Sequence, residues 1–229
     1  MLRVHFLIHV HYEDPGAIIS WCDKNGHRKS FTRFYEDVRL PELEDFDMLV
    51  IMGGPMSVND EKEFTWLSKE KRLILNSIDT GKKVIGICLG AQLIAGVLGS
   101  KIEKNRYKEI GWHNVYFTYR MIGKLPFLPD ALKTFHWHGD TFDIPVGAES
   151  LGFSAATLNQ GFVYRDNVIA LQFHPEMTEK MIRTLVDECN SELYEESIFI
   201  QSEKEISEGL NNIKENNEFL YKILDNLTK

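Results

Sequence analysis

Short apolar runs alternate with segments of helical spacing over the first hundred residues, and this alternation most constrains the fold. The apolar runs are Leu2 to Val10, Asp47 to Met52 and Val84 to Ile87, and their composition is typical of strands buried on both faces. Apolar residues recur at helical spacing in Ala17 to Cys22 and in Glu63 to Thr80. Strands that alternate with helices predict a parallel sheet covered by helices on both faces.

The pattern changes in the second half of the chain. From Gly111 to Ile169, shorter alternating runs separated by proline and glycine predict antiparallel strands on the same core, and Thr178 to Glu188 predicts an amphipathic helix. Ser202 to Glu205 has the S-x-x-E pattern of a capping box, followed by apolar residues at heptad-compatible spacing. We therefore expect one doubly wound α/β domain over residues 1–196, with a mostly parallel central sheet and an antiparallel extension, and a C-terminal helical extension over residues 197–229.

Charge and cysteine usage restrict the class of function. The chain has 26 basic and 34 acidic residues and a net charge of −8, which argues against nonspecific nucleic-acid binding and against a basic membrane-binding surface. Its three cysteines are far apart and form no C-x-x-C pair, which indicates a reducing, cytoplasmic protein. The apolar N-terminal run is too short to span a membrane, so we interpret it as a strand. We expect no nucleic-acid partner, no membrane partner and no cofactor.

One cysteine lies where a strand meets a helix. Gly86 and Gly90 flank Cys88 as G-x-C-x-G, and small residues relieve the strain of a sharp turn that holds a nucleophile above the sheet edge. The helix that begins near Leu89 would direct its N–H groups at the sulfur and favour the thiolate. A free cysteine is also among the most commonly buried residues, so the pattern alone leaves a structural role open.

A second motif, His174-Pro175-Glu176, ends an apolar strand. Residues i and i+2 of an extended chain point to the same face, so His174 and Glu176 lie side by side. In this arrangement a carboxylate can bind one imidazole nitrogen while the other nitrogen faces a thiol. The alternative is a strand-ending turn with polar surface residues.

A third motif, Gly53-Gly54-Pro55, ends the strand Asp47 to Met52. Two glycines can turn backbone N–H groups towards a closely approaching substrate, because no side chain blocks the approach. A simple tight turn explains the same residues.

The three motifs, in this order, resemble those of the class I glutamine amidotransferases, the triad-type glutaminase domains of guanosine monophosphate synthetase and anthranilate synthase. The resemblance covers approximately residues 1 to 190. It implies that Cys88 is the nucleophile, that His174 is its general base and acid, and that Glu176 orients the histidine. It also implies an oxyanion hole formed by the backbone N–H groups of Gly54 and Leu89.

The resemblance extends to the substrate-binding residues. It implies that Gln92 helps to hold glutamine, together with His138, Gly139 and Asp140, which match the His-Gly-Asp segment of the synthetase's glutaminase domain. His136-x-His138 with Asp140 could instead ligate a metal. We expect no metal site, because no further paired ligands lie nearby in the sequence and the resembled family needs none.

The function implied by the resemblance is hydrolysis of the γ-amide of glutamine through a cysteine thioester, with release of glutamate and ammonia. A separate synthetase chain would then accept the ammonia. The alternatives are a free-standing γ-glutamyl peptidase or hydrolase that acts on γ-glutamyl conjugates, a cysteine α/β-hydrolase and a noncatalytic binding subunit. The apolar stripe of the C-terminal helix would pack on its own domain or form a homodimer.

Overall fold

Nine strands form one mixed sheet in the computed structural model, which describes residues 1–229. The strands are β1 (Arg3–Ile8), β2 (Arg28–Arg33), β3 (Met48–Ile51), β4 (Lys83–Ile87), β5 (Ile102–Phe117), β6 (Ala131–Phe142), β7 (Ala148–Phe153), β8 (Gly161–Tyr164) and β9 (Val168–Leu171). The helices are α1 (Ala17–Lys24), α2 (Leu67–Asp79), α3 (Leu89–Val97), α4 (Tyr119–Lys124), α5 (Glu179–Glu188), α6 (Glu203–Glu208) and α7 (Ile213–Leu227). None of these helices combines the length and the hydrophobicity needed to cross a membrane.

The sheet has a parallel half and an antiparallel half. Its strand order is β2-β1-β3-β4-β9-β8-β7-β5-β6, and the first five strands are parallel while the remaining pairs are antiparallel. Strand β9 belongs to both halves, since it is parallel to β4 and antiparallel to β8. The predicted doubly wound α/β fold with an antiparallel extension is confirmed.

Each face of the parallel half has its own apolar core. Val50 of β3 packs with Ile18 of α1 and Leu220 of α7 on one face, whereas Leu49 packs with Ile74 of α2 on the other. Because successive residues of a strand point to opposite faces, a strand covered on both sides must be apolar throughout. This explains the unbroken apolar run that ends at the glycine turn.

The predicted C-terminal helix is present as α7, and a shorter helix, α6, precedes it. The capping box of Ser202 and Glu205 is present, but a 3-10 turn separates α6 from α7. Trp112 explains the break, because its indole Nε1 donates to the Ile206 carbonyl over 2.9 Å and its ring fills the space where a side chain at Gly209 would lie. Helix α7 buries its apolar side on its own domain. A homodimer and the division of the chain into residues 1–196 and 197–229 stay predictions.

The antiparallel half contains longer strands than the sequence pattern predicts. Strands β5 and β6 form a hairpin whose register is irregular between Lys104 and Glu109. Beyond this irregularity, Glu109 pairs with His138, and Gly111 pairs with His136. The register therefore brings a carboxylate of one strand to the histidines of the next.

Candidate active site

Cys88 occupies a strained turn between β4 and α3. It is the N-terminal capping residue of α3, with φ 51° and ψ −107°, a positive φ that is uncommon for a non-glycine residue. A Cβ added at Gly86 would overlap the backbone of Gly90, and one added at Gly90 would overlap the backbone of Ile51. The glycines let the helix start against the strands, as the G-x-C-x-G pattern predicts, and the cysteine is held at the sheet edge.

His174 and Glu176 form a buried pair directly after β9. Nδ1 of His174 lies 2.8 Å from Oε1 of Glu176, and both side chains are at most 2% exposed. The backbone N–H of His174 donates to the Phe135 carbonyl over 2.8 Å, and the Asn217 amide donates to the Pro175 carbonyl over 2.8 Å. Contacts from β6 and α7 therefore fix the motif, and the surface-turn alternative does not describe these residues.

The thiol and the imidazole influence each other's protonation. Burial raises the pKa of Cys88, while the neighbouring His174 opposes this shift. Burial lowers the pKa of His174, but Glu176 and Cys88 outweigh it and raise that pKa well above its ordinary value. Nε2 of His174 has no hydrogen-bond partner, whereas the thiol donates towards the Trp137 carbonyl over 3.7 Å. The N-terminus of α3 favours the Cys88 thiolate, but burial opposes it, so Cys88 is a thiol before substrate binds. The thiol therefore needs a base to take its proton during attack.

Gln172 is a buried neighbour of the sulfur that the sequence analysis missed. Its Nε2 donates to Sγ of Cys88 over 3.5 Å, and its Oε1 accepts from Nε2 of Gln92 over 3.2 Å. An N–H directed at sulfur favours the ionised form. Gln172 precedes His174 by two residues, so the alternation of a strand places both on one face and could have identified it.

The two predicted oxyanion donors are neighbours. The N–H of Gly54 makes no hydrogen bond within the protein, and Leu89 is the first residue of α3, where an N–H has no intrahelical acceptor. A Cβ at Gly54 would lie 3.2 Å from the Leu89 side chain. His9 braces this loop, because its Nδ1 lies 2.9 Å from the Gly53 carbonyl and its Nε2 lies 2.8 Å from Oε1 of Glu70.

A cleft of about 610 Å³ opens above Cys88. Six of the residues that the sequence analysis proposes for the site line this cleft: Gly54, Cys88, Gln92, His138, Gly139 and Asp140. The structure thus brings the nucleophile candidate, one oxyanion donor and all four proposed substrate-binding residues to one surface. The His174–Glu176 pair lies beneath it, shielded from solvent.

Glu13 is a second residue that the sequence analysis missed. It lines the cleft, is 8% exposed, and its carboxylate occupies the space where a Cβ at Gly53 would lie. A Cβ at Gly53 would also lie 3.4 Å from Cε1 of His174, so the Glu13 carboxyl group lies beside the His174 imidazole. Burial raises the pKa of Glu13, and His174 opposes this shift. Its place just after β1 is a usable signal, because functional residues collect at the carboxyl ends of parallel strands.

One cluster of three histidine and acidic side chains has its potential ligand atoms close enough together to hold a metal ion. It consists of Glu109, His136 and His138. The acidic member is Glu109 of β5 rather than Asp140, which the sequence analysis considered.

The model of the family "Glutamine amidotransferase class-I" matches residues 18–186 of this chain. The glutamine amidotransferase-like protein YfeJ of Salmonella typhimurium is 32% identical over 99% of this chain and 98% of its own length. A second relative, one of the subunits of the glutamine-hydrolysing GMP synthase of Sulfolobus acidocaldarius, is 34% identical over 64% of this chain and 77% of its own length.

A solved structure extends this similarity to the whole fold. The glutamine amidotransferase of Methylobacillus flagellatus superposes with a TM-score of 0.93 at 29% identity, over 99% of this chain and 94% of that chain. The similarity therefore includes both halves of the sheet and the C-terminal helices.

Proposed function

The chain belongs to the class I glutamine amidotransferase family, and from this premise we propose that it hydrolyses the γ-amide of glutamine through a thioester on Cys88. One observation carries the proposal: a cysteine on a strained strand–helix turn neighbours a buried histidine whose outer nitrogen is unpaired and whose inner nitrogen is bound by Glu176. Nucleophile, base and orienting carboxylate are the parts that acyl transfer by cysteine requires.

In the first half of the reaction, the sulfur of Cys88 attacks the side-chain carbonyl carbon of glutamine while Nε2 of His174 takes the thiol proton. The carbonyl oxygen becomes an oxyanion, which the N–H groups of Gly54 and Leu89 stabilise. The C–N bond then breaks, and His174 returns the proton to the departing nitrogen. Ammonia leaves and a γ-glutamyl thioester stays on the enzyme.

In the second half, His174 takes a proton from water, and the hydroxide attacks the thioester carbonyl. The C–S bond breaks, the sulfur recovers a proton from His174, and glutamate is released. Glu176 stays ionised throughout and stabilises the imidazolium that forms in each half. Gln172 donates to the sulfur whenever the sulfur carries negative charge.

The cleft residues orient the substrate in this proposal. Gln92, His138, Gly139 and Asp140 contact the amino-acid end of glutamine, which keeps the side-chain amide over Cys88. The relative that belongs to a GMP synthase supports a separate synthetase chain as the acceptor of ammonia.

Glutamate release by the purified full chain tests the function. Wild-type protein is expected to release glutamate from glutamine, with ammonia in equal amount, while Cys88→Ser is expected to be inactive and serves as the blank. If Cys88→Ser releases glutamate at the wild-type rate, the thioester mechanism is wrong. If neither protein releases it from any γ-glutamyl compound, the noncatalytic alternative replaces the proposal.

A γ-glutamyl peptidase is the second candidate, and the size of the cleft favours it. About 610 Å³ lies within the range of pockets that hold drug-sized ligands, so the cleft has room for a γ-glutamyl peptide. The same assay with γ-glutamyl peptides separates the two candidates. A higher kcat/KM for peptides than for glutamine would assign the peptidase, and the reverse would assign the glutaminase.

A further inference from the structure

A second buried group of ionisable side chains lies on the antiparallel half, where β5 pairs with β6. Glu109 stands opposite His138 in the hairpin register, and His136 stands opposite Gly111, which has no side chain. Glu109 and His136 are fully buried and His138 is 5% exposed. One potential ligand atom from each of the three lies within 4.8 Å of the others.

Four polar atoms of this group have no hydrogen-bond partner. They are Oε1 of Glu109, Nδ1 and Nε2 of His136, and Nε2 of His138. Buried polar atoms in native proteins are almost always paired, so four unpaired atoms in one group point to a missing partner such as an ion or ordered water.

The separations match those between ligands of one metal ion. Oε2 of Glu109 lies 3.2 Å from Nε2 of His138 and 3.6 Å from Nδ1 of His136. Two ligands bound about 2.1 Å from a tetrahedral metal are about 3.4 Å apart. Two imidazoles and one carboxylate are also a ligand set that zinc uses.

The surroundings orient the three ligands. Nδ1 of His138 lies 3.1 Å from the Asp140 carbonyl, which leaves Nε2 for the metal, as in most metal-bound histidines. Oε2 of Glu109 accepts hydrogen bonds of 2.7 to 3.1 Å from Ser154, Thr157 and Gln160. These donors fix the orientation of the carboxylate, whose Oε2 faces both imidazoles and whose Oε1 has no hydrogen-bond partner.

We propose, contrary to the expectation from the sequence alone, that Glu109, His136 and His138 bind one divalent ion of the zinc type. The ion would join β5 to β6 directly behind the cleft wall that His138 forms, so its role is to fix that wall. No bond is made or broken at this site in the proposed glutamine hydrolysis, and His138 is the one residue that belongs to both proposals. Zn²⁺ binding in an inactive Cys88→Ser background therefore tests the metal site separately from hydrolysis.

Metal content and affinity test the proposal on the full chain without an affinity tag. The Cys88→Ser background removes the thiol, which could bind zinc with His174. After treatment with a chelator, titration with Zn²⁺ is expected to reach about one bound ion per chain by elemental analysis. Co²⁺ is expected to give the visible absorption of a tetrahedral nitrogen–oxygen site. Absence of stoichiometric Zn²⁺ would overturn the proposal and assign ordered water to the unpaired atoms.

Matched histidine variants decide whether these residues hold the ion. His136→Gln is expected to weaken Zn²⁺ binding by about 100-fold or more, while His113→Gln, whose ring centre lies 5.8 Å from that of His136, is expected to bind as tightly as the background protein. Equal affinity in all three proteins would overturn the assignment. If His136→Gln does not fold, the melting temperature with and without Zn²⁺ is measured instead. Zn²⁺ is expected to raise the melting temperature of the background protein and of His113→Gln. No rise in either protein would contradict the site.

Discussion

Two buried histidine–carboxylate groups lie on opposite halves of the sheet and differ in how their atoms are paired. On the parallel half, His174 binds Glu176 through one nitrogen and keeps a single unpaired nitrogen beside Cys88. On the antiparallel half, His136 and His138 converge on Glu109 with three unpaired nitrogens between them. One free nitrogen beside a thiol suits a general base, whereas one nitrogen from each of two imidazoles next to a carboxylate suits an ion.

The two groups also differ in what fixes the carboxylate. Glu176 receives its hydrogen bond from His174, and its other oxygen is unpaired. Glu109 accepts three hydrogen bonds at one oxygen from a neighbouring loop. Glu176 therefore hydrogen-bonds only His174, whereas Glu109 also connects β5 to the loop between β7 and β8. The comparison predicts that equal substitutions in the two groups change different properties.

Replacement of His174 is expected to have the largest effect. His174→Gln removes the group that takes and returns the proton, and we expect glutamine hydrolysis to fall by about 10⁴-fold or more. His113→Gln is the matched control and is expected to keep the wild-type rate. The initial rate of glutamate release measures both. A His174→Gln variant with substantial activity would remove the distinction between the two groups.

Glu176→Gln is expected to lower kcat/KM by about 10² to 10⁴-fold, because the imidazolium loses its counter-charge. Glu176 raises the pKa of His174, so its removal lowers that pKa. The base acts only when unprotonated, and activity is lost as pH falls through its pKa. The acid limb of the profile of kcat/KM against pH is therefore expected to move to lower pH. An acid limb at the wild-type position would show that another group controls it.

Glu109→Gln is expected to act mainly on stability. The substitution leaves the buried donors of Ser154, Thr157 and Gln160, together with two histidines, facing a neutral amide instead of a carboxylate. In metal-free protein it is therefore expected to lower the free energy of unfolding by about 3 kcal/mol. Glu176→Gln, which disturbs fewer hydrogen bonds, is expected to lower it less. Urea unfolding of both variants measures the difference. A larger loss in Glu176→Gln would reverse the comparison.

Gln172→Leu gives the smallest expected effect. Without the amide N–H beside the sulfur, we expect the pKa of Cys88 to rise by about one unit, and its alkylation by iodoacetamide near neutral pH to slow about tenfold. Cys189, which is partly exposed, is an internal control whose alkylation rate is expected to stay constant. An unchanged rate at Cys88 would show that Gln172 only fills space.

The parallel half could be predicted from the sequence because its determinants are local. A strand covered on both faces must be apolar, the glycines beside Cys88 are required where strand and helix touch, and His174 and Glu176 share a face because they are two residues apart. Each of these signals is readable in a few consecutive residues, and the fold class follows from them. The grouping of Cys88, Gly54 and His174, which lie far apart in the chain, was implied by the family resemblance.

The remaining features depend on contacts between distant segments. Glu109 meets His138 only through the register of β5 and β6 beyond an irregular stretch, and a shift of one residue would turn its side chain to the other face. Trp112 breaks the C-terminal helix from a strand that lies far away in the chain. Helical periodicity and short motifs contain no information on either contact.

Labelling with a chloroketone analogue of glutamine tests whether Cys88 is the nucleophile. The thiolate displaces chloride and forms a stable thioether, which peptide mass spectrometry locates. We expect one label per chain on Cys88 and none on Cys22 or Cys189. We also expect glutamine to protect Cys88 from labelling, and glutaminase activity to fall in proportion to labelling. Full labelling of Cys88 with activity retained, or inactivation with the label on another cysteine, would contradict it.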